Sequence, residues 1–156
     1  MNFELTEERQ MLQDGLRRFL RDTYDPALRA ELAEAESGFS ADVWNGLAEM
    51  GVIGALFSEA DGGFAGAGFD IALVFEELGR VGAVDPLLDT AVLGGGLIAA
   101  LGTDDQKQMI EETIAGTTQL ALAHSEPSSR YDMSRVETKA TRDDDSYVLS
   151  GRKSVV

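Results

Sequence analysis

At Leu120-Ala121-Leu122-Ala123 the chain changes character, and that change limits the folds open to it. Upstream, apolar residues recur at the three- and four-residue spacing of helices. Downstream they alternate in short runs divided by turn residues. The order predicts an α+β chain, helices first and strands after. The apolar run itself reads as a buried strand ending at Pro127, which cannot donate to a β-ladder and drives Glu126 toward extended backbone. That strand delivers the sole histidine, His124, followed by Ser125 and Glu126. Polar groups at the end of a buried strand are well placed to meet a ligand. A plain polar turn between helix and sheet is the competing reading.

Six helices are expected before this point. The first runs from Thr6, a candidate N-cap, to Tyr24, with Leu12, Leu16, Phe19 and Leu20 on one face. Asp25-Pro26 interrupts it, and a weaker helix follows over Ala27 to Ala35. Ser40 caps a third, to Met50, whose buried face is Val43, Trp44, Leu47 and Met50. A fourth covers Phe69 to Val81, with Glu76-Glu77 read as a solvated edge. The fifth, Pro86 to Leu101, is apolar on almost every side and so is expected to be buried on most of them. Gly94-Gly95-Gly96 inside it argues for close helix packing, or else for room for a ligand chain. Thr103-x-x-Gln106 is a capping box that opens the sixth.

The glycine-rich stretch Gly62 to Gly68 invites a dinucleotide-binding reading, but Gly66-x-Gly68 is completed by Ile71 where the fingerprint needs glycine, and no basic residue is present. It is read as a structural turn. Past the junction, Val136 to Thr141 and Ser146 to Leu149 read as paired strands around Asp143-Asp144-Asp145. These three aspartates lack the spacing of a calcium loop and are taken as a solvated turn, with no metal site. Lys153 to Val156 reads as the start of another strand.

Composition removes several function classes. Zero cysteines exclude disulfides, thiolate metal ligands and a cysteine nucleophile. The formal net charge of −15 opposes binding to nucleic acid or anionic membranes. No apolar run approaches the roughly 18–20 residues of a spanning helix. The acidic N-terminus lacks a signal-peptide pattern, which implies a cytoplasmic protein.

Four groups of residues then carry a resemblance. They are Phe3-x-Leu5-Thr6-Glu7-Glu8; Trp44-x-x-Leu47-Ala48-Glu49-Met50-Gly51 with Glu59-x-x-Gly62-Gly63; Phe75-Glu76-Glu77-Leu78-Gly79-Arg80; and Gly102-Thr103-x-x-Gln106-Lys107 followed by Ala123-x-Ser125-Glu126-Pro127 and Tyr147-x-Leu149-x-Gly151-x-Lys153. In this order and spacing the chain resembles the N-terminal part of the flavin-dependent acyl-CoA dehydrogenases. Through Leu93-Gly94-Gly95-Gly96-Leu97 and Ala123-His124-Ser125-Glu126 it is most similar to the small-subunit type of pimeloyl-CoA dehydrogenase.

The resemblance implies an N-terminal all-helical domain over residues 1–117 and the beginning of a middle β-domain over 118–156. The family's C-terminal helical bundle does not match any part of this sequence. It implies FAD as cofactor, an acyl-CoA substrate desaturated between its α and β carbons with hydride transfer to flavin N5, and an electron-transfer flavoprotein or similar acceptor as partner. A homo- or hetero-oligomer is implied as well. By carry-over, Leu122, Ala123, His124 and Ser125 line the flavin and Ser125 hydrogen-bonds its ring. Val155 and Val156 lie against it. Arg130 and Tyr131 fall where the substrate is contacted. The family's base matches no residue here, so no catalytic residue is assigned, and Glu126 is expected to order the loop. Departures are plain: Ser128-Ser129-Arg130-Tyr131-Asp132 stands where Gly-x-Gly-Ser-Asp is usual, and Val155 where tryptophan is common. They raise the alternative of a non-catalytic supporting subunit in a heteromer.

Overall fold

A computed structural model describes residues 4–66 and 68–156; Phe3 of the first landmark and Ala67 of the glycine-rich stretch lie outside the described residues. The backbone divides into two compact units, residues 1–120 and 121–156.

The first unit is helical: α1 (Glu7–Thr23), α2 (Pro26–Glu34), α3 (Ala41–Glu49) and α4 (Gly68–Val81), then a π-helix (Leu88–Gly95) running directly into α5 (Gly96–Leu101), and α6 (Asp104–Ile114). Local chemistry sets most of the starts. The side chains of Thr6, Asp25 and Ser40 accept from the backbone N–H groups of Arg9, Leu28 and Val43 at 3.3, 2.7 and 3.3 Å. Asp25, expected only to interrupt, is thus the cap of α2, and Pro26 occupies the first turn where its missing N–H costs nothing. Both arms of the Thr103–Gln106 capping box form, at 2.9 and 3.3 Å.

Leu16 and Leu20 of α1, Val43, Trp44 and Leu47 of α3, Val74 and Leu78 of α4, Leu87 and Ile110 meet in one core with Val52, Ile53 and Phe57. Trp44 satisfies its buried indole by donating to the Gly116 carbonyl at 2.8 Å. Among the described residues no helix is long and apolar enough to cross a membrane.

Two expectations for this unit are corrected. Glu76-Glu77 is not a solvated edge. Glu76 is solvent-facing and pairs with Arg80, whereas Glu77 is 1% exposed. The Arg17 guanidinium grips its carboxylate with two hydrogen bonds, 2.9 and 2.6 Å, and Arg80 approaches at 3.3 Å. Within the first turn of α4, Asp70 is held likewise by Arg9, at 2.5 and 3.1 Å. α1 and α4 are therefore joined by two paired-donor clasps as well as by their apolar faces. Burial of Glu77 is tolerable because the forks satisfy both oxygens.

The fifth helical segment is not buried on most sides. Leu88, Leu93, Leu97 and Leu101 are 48, 39, 45 and 78% exposed. Its glycines explain which side packs. A Cβ on Gly94 would lie 2.7 Å from the Leu120 Cβ, and one on Gly95 would lie 2.5 Å from the Phe57 ring, while Gly96 faces open space. Close packing accounts for two of the three glycines and leaves the opposite row of leucines at the surface. Thr90, within the π-helical turn, exchanges hydrogen bonds with Leu120, accepting from its N–H at 3.3 Å and donating to its carbonyl at 3.1 Å.

In the second unit, β1 (Lys139–Asp143) and β2 (Ser146–Ser150) form an antiparallel pair with Lys139 opposite Ser150 and Asp143 opposite Ser146. Asp144 turns between them with φ +51°, a left-handed conformation that aspartate tolerates. Three strand expectations shift. Leu120 to Ala123 makes no ladder; its residues alternate between half-buried and exposed in an irregular connector. The first strand begins at Lys139 rather than Val136, because the N–H groups of Glu137 and Thr138 go to the Glu126 carboxylate instead of to a neighbouring strand. No strand forms over 153–156 among the described residues; that segment is tied to the chain near Ser125 by a single backbone bond.

Candidate functional site

The second unit is organised around Glu126. Its side chain is covered, 3% exposed, and accepts four hydrogen bonds: from Glu137 N–H at 2.7 Å, Thr138 N–H at 3.0 Å, Thr138 Oγ1 at 2.6 Å and Lys153 Nζ at 2.8 Å. Its own N–H and carbonyl are closed onto Ser129 Oγ at 3.2 and 2.9 Å. The Ser129 N–H donates to the same carbonyl at 3.1 Å, so Pro127 to Ser129 turns tightly. The expected loop-ordering role is what this geometry delivers.

The Lys153 ammonium and the Thr138 hydroxyl hold the Glu126 carboxyl down at about 2, against an ordinary value of 4.5. The folded value lies below the unfolded one, so the contribution to stability is present at neutral pH and is lost as pH falls from about 4.5 toward 2. The expected result is that amide protection at Glu137 and Thr138 persists at pH 5 and falls progressively as pH drops from about 4.5 to about 2. It is checked by hydrogen exchange of that segment across pH, with Glu126→Gln as the comparison. A loop equally protected at pH 2 and pH 6 would count against the assignment.

The same knot brings two distant pieces of chain together. Lys153 also donates to the His124 carbonyl at 3.2 Å, and Ser154 N–H donates to the Ser125 carbonyl at 2.9 Å. His124 and Ser125 thus sit beside the segment leading to Val155 and Val156. Ser125 is exposed, and neither its N–H nor its hydroxyl makes a hydrogen bond among the described residues. Leu122 and His124 are half-buried and Ala123 is exposed. Val155 and Val156 are 96 and 71% exposed, and Val155 takes φ +57°. That left-handed backbone is rare for a β-branched residue.

Arg130 and Tyr131 are not drawn into this knot. They lie on the turn after Pro127 and line a concavity of about 610 Å³ with Pro127, Ser128, Asp132 and Arg135. Tyr131 is fully exposed. Arg130 holds φ +50°, in the left-handed region that favours glycine. Asp132, which accepts from the Ser134 hydroxyl and N–H at 2.7 and 3.0 Å, has its carboxyl lowered by those donors and stays charged beside the arginines. Arg135, which the sequence reading passed over, pairs with Glu137 at 2.7 Å. Lys153 was legible only as one residue of a motif; nothing in its neighbourhood signalled a partner 27 residues away.

The family described as acyl-CoA dehydrogenase, N-terminal domain, matches residues 6–117. A probable acyl-CoA dehydrogenase of Bacillus subtilis is 33% identical over 156 residues, covering 98% of this chain and 40% of that protein. Two solved structures align closely. Butyryl-CoA dehydrogenase from Megasphaera elsdenii does so with a TM-score of 0.80 at 28% identity, over 98% of this chain and 40% of that one. A FAD-dependent dehydrogenase does so with a TM-score of 0.71 at 28% identity, over 99% and 40%. The chain belongs to the acyl-CoA dehydrogenase N-terminal domain family. It spans about two fifths of the length of the relatives it matches.

Proposed function

We propose that residues 1–117 are the helical domain, and residues 118–156 the opening of the middle β-domain, of a FAD-dependent acyl-CoA dehydrogenase. The reaction is desaturation of an acyl-CoA thioester between its α and β carbons, an oxidoreductase activity. One observation supports it above the others. Ser125 is exposed, its N–H and hydroxyl make no hydrogen bond among the described residues, and the His124 and Ser125 carbonyls on either side are held by Lys153 and Ser154. An unpaired backbone N–H and hydroxyl on one residue fit the polar edge of a flavin ring. When bound, FAD supplies the two-electron acceptor for the β-carbon.

In this reading Ser125 holds the flavin edge by hydrogen bonds. Leu122, Ala123 and His124 border it, and Val155 and Val156 cover a face with aliphatic rather than aromatic surface. Arg130 and Tyr131 stand on the substrate side, where the guanidinium fork suits a phosphate or carboxylate of the acyl-CoA. These residues bind and orient; the proton is taken from the α-carbon by no group assigned here. The reading extends to a cytoplasmic homo- or hetero-oligomer that passes its electrons to an electron-transfer flavoprotein or similar acceptor.

A second reading draws on Tyr131 and Arg130. A fully exposed tyrosine and a left-handed arginine take the place of small residues at the expected substrate turn. They favour a supporting subunit without turnover of its own. A visible spectrum of the purified full-length protein, with and without a panel of acyl-CoA thioesters, separates the two. A flavin band that bleaches with one thioester is the result expected of the enzyme. A protein that stays colourless with added FAD points to the supporting subunit.

A further inference from the structure

Two consecutive peptide units at the head of the Ser125-Glu126-Pro127 loop are oriented from the same distant segment. The His124 carbonyl accepts from Lys153 Nζ, and the Ser125 carbonyl from Ser154 N–H. No described peptide bond is cis. In a planar trans unit the C=O and N–H point in opposite directions. Holding the His124 carbonyl toward Lys153 therefore aims the Ser125 N–H the other way. The next unit is held at both ends, by Ser154 at its carbonyl and by Ser129 Oγ at the Glu126 N–H. Of the four backbone polar groups in these two units, the Ser125 N–H is the one that makes no hydrogen bond among the described residues.

Lysine alone is a poor instrument for this, because a flexible four-carbon stem with three rotatable donors fixes no direction. Glu126 supplies the second anchor at 2.8 Å, and is itself immobilised by Glu137 N–H, Thr138 N–H and the Thr138 hydroxyl. The Lys153 side chain is 26% exposed and Glu126 3%, so the pair is largely shielded. An ammonium on the His124 carbonyl also polarises that peptide unit and strengthens the Ser125 N–H as a donor.

We infer that Lys153 and Glu126 are positioning residues that aim the Ser125 N–H at the flavin edge. The inference rests on the flavin reading above. It predicts that the two side chains control cofactor affinity and flavin electronics without touching the cofactor.

The test uses the full-length protein with Lys153→Met, Lys153→Arg and Glu126→Gln. FAD is titrated into stripped protein and the flavin absorption band recorded. Lys153→Met is expected to weaken FAD binding roughly tenfold or more and to shift the band, since a hydrogen bond from a charged donor is lost. Lys153→Arg, which keeps charge and donors, is expected to recover most of both. Amide exchange of the cofactor-free protein gives a readout independent of folding yield. Exchange at Ser154 and over Glu126 to Ser129 should quicken in Lys153→Met and Glu126→Gln, with the helical unit unchanged. Wild-type affinity and band in Lys153→Met, or unaltered exchange in that segment, would overturn the inference. A wild-type protein that takes up no FAD instead removes the flavin reading itself.

Discussion

Arg17→Leu is expected to loosen the helical unit out of proportion to the surface position of the residue. Arg17 is 47% exposed, yet its fork closes both oxygens of a glutamate that is 1% exposed. Removing it leaves Glu77 buried with Arg80 at 3.3 Å as the remaining cation in reach. A buried carboxylate stripped of its main partner is costly because solvation is not restored by the deletion. The half-exposed arginine discounts the effect, since water screens the pair on one side. Amide exchange in α1 and α4 of the full-length protein should quicken roughly 10- to 100-fold. The double variant Arg17→Leu, Glu77→Leu should recover much of the protection, because an apolar pair of similar volume removes the stranded charge. If the single and double variants exchange alike, the clasp contributes shape rather than charge compensation.

The pH dependence follows from the same pair. The Arg17 hydrogen bonds hold the Glu77 carboxyl below its usual range, against burial that pushes it up. A depressed folded value means the stabilisation is present above the ordinary carboxylate range and is lost as pH falls through the folded value. Without Arg17 the opposing burial counts for more, and acid should then cost the variant less protection than it costs the wild type.

The clasp also marks where the sequence stopped being readable. The starts of α1, α3 and α6 are decided within three residues by Thr6, Ser40 and Thr103, so a local reading reaches them; Asp25 caps α2 just as locally, but the proline beside it reads as a break. Glu77 looked like any helix-edge acid because its partner lies 60 residues upstream. Ion pairing across helices leaves no periodicity in either one. The fifth segment misled for a related reason. Apolar composition all round announces burial, but the π-helical winding and two contact glycines turn a single side inward. At the junction, hydrophobicity suggested a strand where no neighbour offers a ladder, and Glu126 captured the two N–H groups that would have opened the next one. Of the candidate site, residue chemistry alone picked out His124, Ser125 and Glu126. Val155 and Val156 came from resemblance, and the proximity of their segment to Ser125 is a long-range fact no motif spacing contains.

Gly63→Ala is expected to be among the most damaging small substitutions in the chain. The glycine-rich stretch was read as structural rather than phosphate-binding, and the packing shows why one of its members cannot change. A Cβ at Gly63 would lie 2.3 Å from the Phe57 carbonyl oxygen and 2.5 Å from that of Gly54. Both are backbone atoms, and both carry the loop: Phe57 O accepts from Ala65 N–H at 3.1 Å and Gly54 O from Phe64 N–H at 3.3 Å. No side chain can rotate away to make room, so the loop must leave the Val52–Phe57 segment that supplies the core with Val52, Ile53 and Phe57. The expected loss is about 3 kcal/mol, the upper range for overpacking. Gly62→Ala is the control. Gly62 holds φ +85° with the Ile114 Cδ1 4.0 Å from its Cβ position, so alanine there pays for backbone strain alone, about 1–2 kcal/mol. Thermal melting of the full-length protein, with exchange in the 52–66 segment, ranks the two. Steric exclusion by the carbonyls requires Gly63→Ala to be the worse; the reverse order would assign the stretch to conformational freedom and not to close packing.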